Sequence, residues 1–239
     1  MSAAHTGWAP RLGLWLKRLL LIALGLLLAY QLWLLAWVLW WSRNNPDMTR
    51  FMEIRLGELQ ATHPQATLRK QWVSYERISL HLKRAIIASE DARFVDHEGF
   101  DWQGIQNAIA RNQRKGKVVA GGSTISQQLA KNLFLSPSKT PWRKAEEAII
   151  TLMLESLWSK QRILEVYLNV IEWGNGVFGA EAAAQHYYGI GASQLGPEQA
   201  ARLAGMVPNP RFYDRKRSAP GLANKTAIIL TRMPSAELP

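Results

Sequence analysis

The chain contains no cysteine. Disulfide frameworks and thiolate metal sites are therefore excluded. The compartment stays open, because disulfides are optional outside the cytosol. Histidine is scarce, five in 239 residues. His97 has no second histidine at ligand spacing, which argues against a zinc site. Acidic residues are outnumbered, 18 against 29 lysines and arginines, for a net charge of +11. That balance favours polyanionic partners: nucleic acid, anionic lipid or phosphorylated substrates. Strand-like runs are short and few, and no internal repeat or low-complexity tract occurs. The expected fold is therefore mainly α. The length suits one domain of roughly 150–200 residues plus an appendage.

The appendage is N-terminal. From Leu19 to Trp41 no residue is charged, and only Tyr30 and Gln31 interrupt the apolar run. As a helix this stretch reaches roughly 34 Å, enough to cross a hydrocarbon core of about 30 Å. Trp33, Trp37, Trp40 and Trp41 crowd towards its second end, as aromatic anchors at a membrane interface do. The run is too long for a typical signal-peptide core, and bulky tryptophans stand where a cleavage site needs small residues. A retained anchor is expected. Arg11, Lys17 and Arg18 precede the span and Arg43, Arg50 and Arg55 follow it. The positive-inside rule thus leaves its orientation open.

After a turn cluster at Asn44–Asp47, residues 48–70 read as a short helix and a linker. Ile78, Leu82, Ala85 and Ile86 recur at helical spacing, as do Trp102, Ile105 and Ile109, so both segments are expected to turn those faces inward. Ser123 or Thr124 is placed to cap a helix through Lys131. Helices follow over 143–158, 160–169, 181–188 and 197–206, the last with Pro197 in its first turn.

Three segments carry candidate chemistry. The first, Ser89–Asp101, gathers carboxylates around His97. Glu90, at the end of an apolar helix, can be pressed into a cleft and take a proton from a hydroxyl. Phe94 reads as core and His97 as a hydrogen-bonding organiser. The second is Gly121–Asn132, G-G-S-T-I-S-Q-Q-L-A-K-N. Its glycines let backbone approach a ligand closely. Free N–H groups at the following helix start favour an anion, with Gln127 and Lys131 on one face at i, i+4. A capped structural helix is the equally weighted alternative. The third, Lys139–Glu147, adds Lys139, Arg143 and Lys144 to Glu147. Either Glu147 makes a simple ion pair with Arg143, or it faces Glu90 across a groove as the second carboxylate that glycosyl chemistry uses. In Lys160–Asn169, Tyr167 and Leu168 read as core.

The order of these motifs resembles the peptidoglycan glycosyltransferase family. They are E-D-x-x-F-x-x-H-x-G at Glu90–Gly99, G-G-S-T-I-S-Q-Q-L-x-K-N at Gly121–Asn132, R-K-x-x-E at Arg143–Glu147 and R-I-L-E-x-Y-L-N at Arg162–Asn169. A looser match follows at Arg202–Pro208. The resemblance covers roughly residues 75–212. No transpeptidase domain is expected beside it, which points to the family's monofunctional members.

The resemblance implies a lysozyme-like domain with a small membrane-proximal lobe, preceded by one transmembrane helix. It divides the chain into a cytoplasmic tail (1–18), the span (19–41), a linker (42–70) and the catalytic domain (71–239), outside the inner membrane. The implied reaction polymerises lipid II into β-1,4 glycan strands with inversion and release of undecaprenyl pyrophosphate. By motif position, Glu90 resembles the general base. Glu147 resembles the glutamate that assists the departing pyrophosphate, directly or through a divalent metal such as Mg2+ or Mn2+; no organic cofactor is implied. Ser123, Thr124, Gln128, Lys131, Arg143 and Lys144 map to the donor and pyrophosphate region. So does Lys139, where relatives often carry arginine; lysine keeps the charge and loses the bidentate fork.

The implied partners are lipid II, the growing glycan and membrane lipid. Cell-division or other peptidoglycan-synthesis proteins are further candidates. Nucleic acid is disfavoured, because the positive charge surrounds an acidic site. A membrane-anchored lytic transglycosylase is the alternative. It would share fold and glutamate but need no cation cluster.

Overall fold

A computed structural model describes residues 8–117 and 121–239, with side chains from residue 13 onward. The chain divides into two units, Met1–Asn44 and Asn45–Pro239.

The first unit is one helix, α1 (Trp8–Trp41). Its apolar part, Gly13–Trp41, has mean hydropathy 2.3 and is long enough to cross a membrane. The helix begins at Trp8, well before the expected span at Leu19, so the described part of the predicted tail 1–18 is already helical. Residues 1–7 lie outside the described residues. Trp33, Trp37 and Trp41 follow one another at i, i+4, with ring centroids 6.5 and 5.0 Å apart.

The second unit is mainly helical. Residues 42–70 hold the short helix expected there. They contain α2 (Arg50–Gln60), capped by Thr49, with Met52 and Arg55 buried. Arg55 escaped a polarity-based reading because its guanidinium is inside, with Nε 3.1 Å from buried Glu172. Next come a short strand, β1 (Arg69–Lys70), and α3 (Leu80–Glu90). Ile78, Leu82, Ala85 and Ile86 are all buried as their spacing predicts.

The face of α4 (Trp102–Lys115) does not follow its pattern. Trp102 is 68 % and Ile109 51 % exposed, and only Ala108 is buried. A helical stripe shows that one face is apolar, not that protein covers it. The core helix α5 (Ile125–Phe134) is followed by α6 (Pro141–Leu157), α7 (Lys160–Val170), a hairpin of β2 (Glu172–Gly174) with β3 (Val177–Phe178), and α8 (Ala180–Tyr188). The strands form one small sheet in the order β1-β3-β2, β1 parallel and β2 antiparallel to β3.

Helix α9 (Pro197–Met206) packs on α3. After it, α10 (Pro210–Arg215) and α11 (Pro220–Arg232) return the chain to the domain. Leu222 and Ile229 of α11 are buried, and α11 packs on α9 and α3.

Two features brace the core beside the motifs. The Asn169 carboxamide replaces a strand partner for Val73, accepting from its N–H at 3.0 Å and donating to its carbonyl at 2.9 Å. Gly99 has φ +87°, and a Cβ there would lie 2.7 Å from Thr151 Cγ2. Only glycine suits that backbone and that contact.

Candidate active site

Glu90 and Asp91 are neighbours with separate tasks, because α3 ends between them. Asp91 caps the helix and turns inward. Its Oδ1 accepts from His97 Nε2 at 2.9 Å, and its Oδ2 accepts from the Ile125 N–H at 2.9 Å. The Gly99 N–H donates to His97 Nδ1 at 3.2 Å. That bond leaves the imidazole proton on Nε2, facing Asp91. His97 is thus the organiser its sequence position suggested.

The start of α5 departs from expectation. The anion at its N-terminus is the protein's own Asp91 carboxylate. Thr124 and Gln127 form a capping box: the Gln127 N–H donates to Thr124 Oγ1 at 3.2 Å and the Thr124 N–H to Gln127 Oε1 at 3.1 Å. Thr124 Oγ1 also donates to the Gly99 carbonyl at 2.7 Å. Thr124 is buried, and its hydroxyl holds two motifs together. Such a box satisfies the first orphan donors of the helix. Ser123 is exposed just ahead of it. Gln127 faces the cap, so the partner of Lys131 on the working face is Gln128.

Glu90 meets that face. Gln128 Nε2 donates to Glu90 Oε2 at 3.0 Å, and Ser89 Oγ to Oε1 at 3.2 Å. Tyr167 Oη donates to Gln128 Oε1 at 2.8 Å. A small part of Glu90 reaches solvent, yet protein surrounds it densely. Burial pushes its carboxyl above the usual range, against the opposing pull of Gln128, Ser89 and Lys225. A carboxylate so placed is a stronger base than a solvated one.

Glu147 has the opposite environment. It is 3 % exposed. Arg143 Nη1 lies 2.6 Å from Oε2, and Lys144 Nζ bonds Oε1. The ion pair with Arg143 is present, and it belongs to a larger cationic group. Burial lowers the Lys131 ammonium, which also feels Glu147, Arg143, Lys144 and Glu90 in that order. Lys131 therefore lies within electrostatic range of both carboxylates. Arg143 Nε is buried without an acceptor among the described residues, leaving a donor for a ligand. Lys139 is exposed, outside these bonds.

A cavity of about 230 Å³ opens beside this cluster, lined by Gln128, Lys131, Asn132, Glu172, Asn209 and Arg211. A larger one of about 620 Å³ lies among α8, α9 and α11. Neither Glu90 nor Glu147 lines either cavity; the smaller one carries Lys131 and Gln128, which hydrogen-bonds Glu90, so it is the one that adjoins the motif residues.

Both Glu147 oxygens are taken by cations, and no group of three or more potential ligands gathers among the described residues. The side chains present do not fit a resident divalent metal. They fit an anion, with Lys131, Arg143 and Lys144 as counter-charges.

Sequence reasoning missed the parts played by Tyr167, Glu172, Arg211 and Lys225. Tyr167 lay inside a motif but read as core, and it is indeed fully buried. Only its hydroxyl reaches the site.

A sequence model of the family described as Transglycosylase matches residues 57–234. The chain is 74 % identical over 228 residues to the biosynthetic peptidoglycan transglycosylase of Dechloromonas aromatica (strain RCB), covering 95 % of this chain and 99 % of that protein. It is 64 % identical over 225 residues to the protein of that name from Azoarcus sp. (strain BH72), covering 94 % and 97 %. These matches show that the chain belongs to the transglycosylase family.

Proposed function

We propose that this peptidoglycan glycosyltransferase polymerises lipid II, a disaccharide-pentapeptide on undecaprenyl pyrophosphate, into β-1,4 glycan strands. The growing chain is the donor and lipid II the acceptor. Glu90 takes the proton of the acceptor 4-hydroxyl as that oxygen attacks the donor anomeric carbon. Attack opposite the leaving group converts an α-linked donor into a β-linked product. The bond to the lipid pyrophosphate breaks, and its electron pair leaves with the diphosphate. Lys131, Arg143 and Lys144 neutralise that charge as it develops, with Lys139 at the rim. Glu147 holds Arg143 and Lys144 in place for this work.

The observation that carries the reading is that α5 presents Gln128 to the Glu90 carboxylate and, one turn on, Lys131 to the adjoining cavity, within electrostatic range of Glu147, Arg143 and Lys144. A hydrolase acting on a neutral glycan has no use for that cluster.

The membrane assignments belong to the same reading. A polyprenyl substrate stays in the bilayer, so an anchored enzyme searches two dimensions. The apolar helix Gly13–Trp41 supplies the anchor, with the N-terminus cytoplasmic and the catalytic domain periplasmic. Helix α4 exposes Trp102 and Ile109 beside Arg111, Arg114 and Lys115, and α6 exposes Trp142 and Leu152. Apolar and aromatic side chains flanked by cations suit a layer of anionic headgroups. Cell-division and other peptidoglycan-synthesis proteins are the proposed protein partners.

Labelled lipid II tests the reading, with and without divalent cations. Polymer is the expected product in both conditions. Shortening of preformed glycan instead would establish a lytic enzyme, and polymer that vanishes on chelation would restore a required metal.

A further inference from the structure

We infer that Tyr167 is a positioning residue for the reaction: its phenol fixes the Gln128 amide in the orientation that serves an ionised Glu90. The inference rests on the reading of Glu90 as the base.

The geometry is a three-member relay from the core to the site. Tyr167 Oη donates to Gln128 Oε1 at 2.8 Å, and Gln128 Nε2 donates to Glu90 Oε2 at 3.0 Å. Tyr167 is fully buried, and its hydroxyl has no other acceptor among the described residues. An amide can present either end to a carboxyl group. With Nε2 towards Glu90 it donates, which favours the carboxylate. Turned over, it would offer a carbonyl, which only a protonated Glu90 could satisfy. That reversal would also set an NH2 group against the phenol hydrogen, leaving a buried donor orphaned, which is costly. Tyr167 thus ties the amide to the base-competent orientation.

The other groups around Glu90 leave this role to the relay. Asp91 opposes ionisation; Lys225 of α11 and the Ser89 hydroxyl favour it. Lys131 of α5 is within electrostatic reach. Burial, with Glu90 and Asp91 nearby, holds the Tyr167 phenol far above its ordinary range, so it stays a donor at every working pH.

Tyr167→Phe keeps the ring and removes the hydroxyl. Measured on the full-length protein with lipid II, the acid limb of kcat/KM is expected to move to higher pH. The loss on the acidic side is about tenfold, the scale of one hydrogen bond to a charged group, and rates converge with wild type on the alkaline side. The Glu90 carboxyl is followed in parallel by carbon NMR, its signal identified by absence in Glu90→Gln. Its titration midpoint should rise in Tyr167→Phe. If that variant fails to fold, Gln128→Met removes the amide at similar volume and should raise the midpoint likewise. A uniform loss of rate with an unmoved midpoint overturns the inference. A raised midpoint with an unmoved rate profile supports the relay and overturns the assignment of Glu90 as base.

Discussion

Glu90 and Glu147 are the same side chain in two opposite settings. Glu90 meets an amide and a hydroxyl and is penalised by burial. Glu147 is more deeply buried but grips a guanidinium and an ammonium. The first environment suits the proton acceptor proposed for Glu90. The second suits a fixed counter-ion that orders the cations proposed to meet a departing diphosphate. Burial alone therefore does not define a role; the partner of the buried charge does.

Substitution can break this contrast. Glu90→Gln is expected to lower lipid II polymerisation by about 10³-fold, the scale of a lost general base, while the protein remains folded. Polymerisation at the wild-type rate would remove Glu90 from the chemistry. Glu147→Gln is expected to cost roughly 10²-fold in rate, as loss of ordered charge stabilisation does. It should also lower Tm, because Arg143 would keep a buried charge without its partner. A Tm equal to wild type would show that the pair holds nothing in place.

Asp91→Ala tests the scaffold between the two glutamates. It removes acceptors for His97 and Ile125. The expected cost is about 2–4 kcal/mol of stability, read from denaturant unfolding. An unchanged midpoint would mean that the start of α5 is held by its capping box alone.

The smallest effect is a pH dependence of stability. The folded-state pKa of Glu90 lies above its ordinary value of 4.5. The folded state therefore binds this proton more tightly than the unfolded state. Stability from this group is present below the unfolded pKa and is lost as pH rises through the folded one. Glu90→Gln should then melt at or above the wild-type temperature at pH 7, and the gap should close as pH falls towards 4.5. A variant that melts lower at pH 7 would show that the carboxylate contributes to the fold.

Several features were legible because they depend on local rules. The inward face of α3 follows from apolar spacing, and α9 from a proline in its first turn. The roles of Phe94 and His97 followed from their company in one short segment. Elsewhere local rules misled. The stripe of Trp102 and Ile109 was real, but nothing in the spacing says whether protein covers it. The helix start at Thr124 suggested an external anion, yet Asp91, 34 residues before Ile125, fills it. Arg55 sat in a stretch too polar to look like core, and its partner Glu172 is 117 residues away.

The sequence by itself determined the long apolar helix, the helical class and the order of the motifs that hold Glu90 and Glu147, because hydropathy, periodicity and motif order are properties of neighbouring residues. Tertiary structure alone decided that Gln128, not Gln127, meets Glu90, and that Tyr167 reaches the same amide from the core. It also brought both carboxylates within reach of Lys131. Those choices depend on how α3, α5, α6 and α7 pack, and no single segment encodes which face of a helix its distant neighbours will meet.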